Sequence, residues 1–83
     1  MENQAQKEMP RYKCHKIVRA LKIEFVGNQS ITPVDKRYTR FWLTEAWMEK
    51  NKPEAGGYYV VCDDWYTSYS PAKAFEEGYT LMP

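Results

Sequence analysis

Between Gly57 and Pro71 two runs of strand-forming residues, Tyr-Tyr-Val-Val-Cys and Tyr-Thr-Ser-Tyr-Ser, are almost touching. Aromatic and β-branched residues dominate both. Runs this close pair through a tight hairpin, so the spacing predicts Tyr58–Cys62 antiparallel to Tyr66–Ser70. An antiparallel hairpin constrains the rest of the chain to add strands at its edge or helices on its face. The turn itself is unusual. Tight hairpins favour Asn-Gly or Asp-Gly, because the turn needs positive φ. This chain has Asp63, Asp64 and then Trp65, with the largest side chain at the position that favours none.

The remaining elements read as additions to that hairpin. Residues 11–27, "RYKCHKIVRALKIEFVG", are rich in β-branched residues and lack an N-cap, which favours a strand over a helix. His15, Ile17, Arg19, Leu21, Ile23 and Phe25 share one face of it. "GNQS" is a turn. "ITPVD" is a short edge strand, because Pro33 has no N–H for a central position. "KRYTRFWL" alternates Arg37, Thr39, Phe41 and Leu43 against Tyr38, Arg40 and Trp42, as a strand does. "TEAWMEKNKP" is a short helix with Thr44 as N-cap, Leu43 and Met48 in the staple positions and Pro53 as the stop. "SPAKAFEEGY" is a second, with Ser70 as N-cap, Pro71 at the first helical position, Gly78 after the end and helix from Pro71 to Glu77.

The expected architecture is therefore α+β: a mostly antiparallel sheet of four or five strands, β-roll-like, with two short helices. With 83 residues it is one domain. Residues 1–10 form a flexible tail and residues 11–83 the folded unit. The expected core is Ile17, Leu21, Ile23, Phe41, Val60 and Phe75, with Tyr79 and Leu81 folding back onto the sheet.

Charge and cysteine content narrow the function. The net charge is +1, yet residues 1–40 carry nine Lys/Arg against four Asp/Glu, and residues 41–83 three against seven. Eleven acids against twelve bases do not reproduce a phosphate backbone, which argues against DNA mimicry. Nucleic-acid binding through Arg11, Lys13, Lys16, Arg19 and Lys22 is disfavoured, because these residues do not share one strand face. The apolar runs are too short to span a bilayer, and no signal peptide is expected. Cys14 and Cys62 are expected as reduced thiols in a cytoplasmic protein.

Catalytic groups do not converge. His15 follows Cys14, and on a strand the two point to opposite faces, so they form no Cys–His pair. No spacing matches a zinc site, and Gly56-Gly57 precedes a strand, not a phosphate-binding helix. No cofactor is expected. Asp63 and Asp64 are adjacent turn residues, a place where carboxylates bond local backbone N–H groups. A non-enzymatic protein is the expectation.

Two blocks carry a resemblance to a known family: "YKCHKIVRALKI" and "KPEAGGYYVVCDDWYTSYSPAKAFEEGYT". From Tyr12 to Thr80 the chain resembles a family of small accessory proteins encoded by tailed phages and prophages. The family pattern runs Lys-Pro, a glycine pair, Tyr-Tyr-Val-Val, an Asp-Gly-Tyr turn, Ser-Pro and Ala-Phe-Glu-x-Gly-Tyr-Thr. The resemblance implies a phage origin and a non-enzymatic accessory role, and it implies no ligand. Trp65 departs from it, standing where the family turn has glycine.

Two arrangements of Trp65 satisfy that departure. The ring folds back over a thin core beside Tyr66 and Tyr69, or it stays outside as a contact residue. In the second case Asp63, Asp64, Trp65 and Tyr66 form a protein-binding surface. The expectation is then a phage accessory protein that grips a host protein inside the host cell, with a defence component as candidate partner and inhibition as the outcome. The alternative is a small-ligand binder that sequesters a nucleotide signal, using Arg37, Tyr38, Arg40 and Trp42 for stacking and phosphate contacts. Partner identity and oligomeric state are not legible.

Overall fold

The computed structural model describes residues 17–80. In chain order it contains β1 (Arg19–Val26), β2 (Ser30–Pro33), β3 (Phe41–Trp42), α1 (Glu45–Asn51), β4 (Tyr58–Val61), β5 (Thr67–Ser70) and α2 (Ala72–Gly78). The five strands form one curled sheet in the order β3-β2-β1-β4-β5, and every neighbouring pair is antiparallel. The α+β expectation holds, with two short helices. The β4–β5 hairpin is as expected, with Tyr58 opposite Ser70 and Val61 opposite Thr67.

β2 is not the edge strand that Pro33 suggested. It lies between β1 and β3. The proline is tolerated because β3 is only two residues long and pairs with Ser30 and Ile31 alone. Continuing that register would set Thr39 against Pro33, which has no N–H to donate. The expected strand from Lys36 to Leu43 is therefore cut to Phe41–Trp42. The chain ahead of it turns instead, with Tyr38 N–H bonded to the Asp35 carbonyl at 3.1 Å.

A second departure lies in β1. Ile23 faces Pro33, but Phe25 faces Thr32, so one extra residue, Glu24, is accommodated on β1. A bulge of this kind reverses the faces beyond it. Ile23 is buried beside Ile31 and Pro33, whereas Phe25 is 63% exposed. The expectation that Ile23 and Phe25 share one face fails for that reason. Ile17 is also corrected: it precedes the first ladder pair, Arg19–Val61, and is 60% exposed. Leu21, Phe41 and Phe75 are half-buried, and Ile23 and Val60 are buried. Residues 11–16, with the expected strand start, Cys14 and His15, lie outside the described residues, as do the tail and Leu81.

The fully buried core is thin, and aromatic pairs extend it. Phe41 meets Tyr59 edge-on at 4.8 Å, and Trp47 of α1 reaches the same ring at 5.7 Å. On the other face Tyr58, Phe75 and Tyr79 stack in sequence, at 4.1 and 4.6 Å. Gly57 is required where it stands, because a Cβ there would collide with the Tyr69 ring.

Thr44 caps α1 as expected, its Oγ1 accepting from Trp47 N–H at 3.0 Å. The helix ends at Asn51, two residues before Pro53. Lys52 takes the left-handed conformation (φ 45°) and its N–H closes onto the Met48 carbonyl. In α2 the expected boundaries shift by one. Pro71, not Ser70, is the N-cap, with no side-chain bond, and Gly78 is the last helical residue. A proline N-cap has no side-chain oxygen to offer.

Candidate functional site

The β4–β5 hairpin turns over three residues, Asp63, Asp64 and Trp65. Trp65 N–H donates to the Cys62 carbonyl at 2.9 Å, closing a β-turn over the two aspartates. Cys62 N–H donates to the Tyr66 carbonyl at 2.9 Å, which restarts the ladder. Three-residue hairpins of this form place their last loop residue in the left-handed region, where glycine is preferred. Trp65 occupies it with φ 65°. An L-residue there costs about 1–2 kcal/mol.

The ring gives little back within the chain. Trp65 is 75% exposed, and among the described residues it makes no aromatic or cation–π pair. Of the two arrangements left open by the sequence, the structure has the exposed one. Asp64 Oδ1 accepts from Tyr66 N–H at 3.1 Å, the local bond expected of a turn aspartate. Asp63 is exposed beside it. Tyr66 is half-exposed, with the Lys50 ammonium of α1 5.7 Å from its ring centre. Trp47 Nε1–H donates to Thr67 Oγ1 at 3.0 Å and ties α1 to the base of the hairpin. The tip is thus an exposed indole preceded in the chain by two exposed aspartates and followed by Tyr66 with its Lys50 partner. Cys62, at its base, is a free thiol.

The alternative cluster is brought near the β3 edge, but its cations are engaged by neighbours. Arg37 makes a forked ion pair with Asp35, its Nη2 at 2.7 Å and its Nε at 3.1 and 3.2 Å. The Arg37 side chain and backbone N–H hold the Asp35 carboxyl down at about 2, and Asp35 raises Arg37 in turn. The Arg37 guanidinium lies 6.0 Å from the Tyr38 ring, and that of Arg40 lies 5.0 Å over the exposed Trp42 ring. A phosphate at Arg37 has to compete with an intramolecular carboxylate already in the forked geometry a phosphate uses.

One cluster was missed from sequence. Glu76 Oε2 accepts from Lys22 Nζ at 3.1 Å and from the Tyr58 hydroxyl at 2.8 Å, so α2 is clasped to the sheet. These two donors, Tyr58 first, lower the Glu76 carboxyl. Glu76 raises Lys22 and, through the hydrogen bond, Tyr58. A phenol that holds its proton more tightly is the opposite of an activated one, so the trio reads as a structural clasp. The only sequence signal for it was the opposition of Lys22 and Tyr58 once the register is known.

Among the described residues no group of three His, Cys, Asp or Glu side chains is placed to hold a metal ion. Among them, too, no helix is long and apolar enough to cross a membrane. No protein-family model, curated protein or solved structure matches the chain.

Proposed function

We propose that the chain is a non-enzymatic protein-binding module whose contact surface is the hairpin tip, Asp63 to Tyr66. The observation that carries this is Trp65, which is held at positive φ and mostly in solvent. Backbone strain retained without an internal contact points outward, because an external contact is what offsets it. Tryptophan and tyrosine also dominate binding hot spots. The two aspartates suit a partner groove with basic character. The phage-family resemblance extends the proposal to a host protein as partner, with a component of a host defence system as first candidate and inhibition as the mode of action, in the host cytoplasm.

The experiment is capture from host lysate by the wild-type chain, followed by affinity measurement with the captured protein. Trp65→Ala is expected to weaken binding by at least ~2 kcal/mol, about thirtyfold, while the variant stays folded. Unchanged affinity in a folded Trp65→Ala protein would refute the tip as the contact surface. The nucleotide alternative at Arg37, Tyr38, Arg40 and Trp42 is separated by a thermal-shift screen with nucleotides.

A further inference from the structure

The sheet carries a second set of exposed aromatic rings. Phe25 pairs with Thr32, and Trp42 pairs with Ser30. Ser30 and Thr32 alternate along β2 with the buried Ile31. Paired residues share a face, so Phe25 and Trp42 lie on the face turned away from Ile31. Both rings are in solvent, 63% and 68% exposed. The Arg40 guanidinium lies 5.0 Å over the Trp42 ring. Among the described residues Arg40 pairs with no carboxylate. This face is therefore aromatic with a positive charge set on it.

The hairpin tip is its chemical complement. Trp65 is exposed, and Asp63 and Asp64 are exposed ahead of it. Among the described residues neither aspartate enters an ion pair, and no cation lies over the Trp65 ring. A guanidinium stacked on a ring keeps its N–H groups at its rim, where a carboxylate takes them in forked geometry. Arg40 on Trp42 offers that rim, and the tip offers the carboxylates. Trp65 and Phe25 are the apolar surfaces left to cover each other.

One chain cannot bring the two together. β1 runs from Arg19, opposite Val61 at the base of the hairpin, to Phe25 near its other end. That separation is about 20 Å at roughly 3.3 Å per residue. β3 and β5 are also opposite edges of the sheet. The tip therefore meets this face only on another molecule. Charge favours that meeting. Residues 1–40 are basic in excess, residues 41–83 acidic, and the net charge is only +1. A chain so close to neutral lacks the repulsion that keeps copies apart.

We propose that the chain associates with copies of itself head to tail, the tip of one copy (Asp63, Asp64 and Trp65) seated on the Phe25, Arg40 and Trp42 face of the next. This rests on the reading of the tip as a contact surface and adds a second copy as its partner. A host protein held by the tip then competes with self-association. The contact is heterologous: each copy gives one tip and one face, so assembly continues until a ring closes.

The test is analytical ultracentrifugation of the full chain between about 10 μM and about 1 mM. The average mass should rise above that of one chain with concentration, and fall back as added salt screens the ion pairs. Trp65→Ala and Arg40→Glu change exposed positions, and each should weaken association by at least ~30-fold. Mixing these two variants should restore one contact. The Arg40→Glu copy keeps its tip and the Trp65→Ala copy keeps its face, so the mixture should stop at a one-to-one dimer. Phe25→Ser repeats the test of the face should Arg40→Glu not fold.

A chain that stays monomeric across the range overturns the proposal and leaves capture of a host protein by the tip standing. Association lost in Trp65→Ala but kept in both face variants also overturns it, since the tip then makes its contact elsewhere. Association kept in Trp65→Ala removes the tip from the contact between copies. A mixture of the two variants that stays monomeric removes the head-to-tail arrangement. Unchanged affinity of Trp65→Ala for a captured host protein is a separate result, and it refutes the reading of the tip for that partner.

Discussion

Replacing Trp65 by glycine and, separately, by alanine isolates the backbone strain at the hairpin tip. Both substitutions delete the indole, so whatever the covered quarter of its surface contributes is lost equally. The two variants then differ only in a Cβ at φ 65°. Alanine keeps the left-handed penalty of about 1–2 kcal/mol. Glycine removes it but gives back roughly 0.5–1 kcal/mol in the greater freedom of its unfolded chain. The glycine variant should therefore be more stable than the alanine variant by ~1 kcal/mol, about 4–8 °C in Tm for a domain of this size. Urea titrations measure the difference, read as a shift in midpoint with an unchanged m-value. Asp63 supplies the internal control. It is not among the positive-φ residues, so Asp63→Gly should be less stable than Asp63→Ala. Alanine matching or exceeding glycine at position 65 would refute the left-handed turn, and the strain argument for an outward contact would go with it.

Lys52→Gly should stabilise the domain by about 0.5–1 kcal/mol in the same titration, since φ 45° at the end of α1 is a glycine position. Thr44→Ala should cost ~1 kcal/mol through loss of the cap on Trp47 N–H. Gly57→Ala should destabilise by more than ~2 kcal/mol, because the Tyr69 ring lies where the methyl goes and overpacking costs about 1–3 kcal/mol. Acid titration of stability should show the Glu76 clasp. Its carboxyl is lowered in the fold, so the contribution is present above the ordinary carboxylate range and is lost as pH falls through the lowered value. Glu76→Gln should flatten that acid limb, and an unchanged limb would exclude the clasp.

The hairpin, both helices and the α+β class were legible because they rest on local signals. Tyr-Tyr-Val-Val and Thr-Ser-Tyr-Ser are adjacent β runs, and Thr44 sits three residues before the N–H it caps. What the sequence hid depends on pairing partners. Alternation placed Phe25 beside Ile23, and nothing in "KIEFV" marks Glu24 as the extra residue, because a bulge is a property of two strands. Pro33 was read correctly as unable to donate, but the conclusion was misplaced. The missing N–H did not push β2 to the edge; it shortened the strand beside it. At the candidate site, Trp65 stood out from sequence because the turn's preference for glycine is a rule of the backbone. Its exposure was not readable, since that depends on whether a neighbour is within reach of the ring.

The same proline bears on how far β2 runs beside β1. Because Pro33 has no N–H to pair with residue 39, β3 begins only at Phe41, and beyond Pro33 β2 has no strand on its outer side. The chain instead turns at Asp35, where the forked pair with Arg37 fixes the corner. Among the described residues, the first half of β1 pairs with β4 alone. Pro33→Val tests this causal order. Valine restores the N–H and favours the extended backbone, so strand pairing should extend through residues 33–39 and the edge beside Ala20 should close. The expected readout is slower exchange at Ala20 and Lys22 in the variant. If the variant folds and both amides still exchange as in the wild type, Pro33 does not set the length of β2, and the Asp35–Arg37 corner sets it instead.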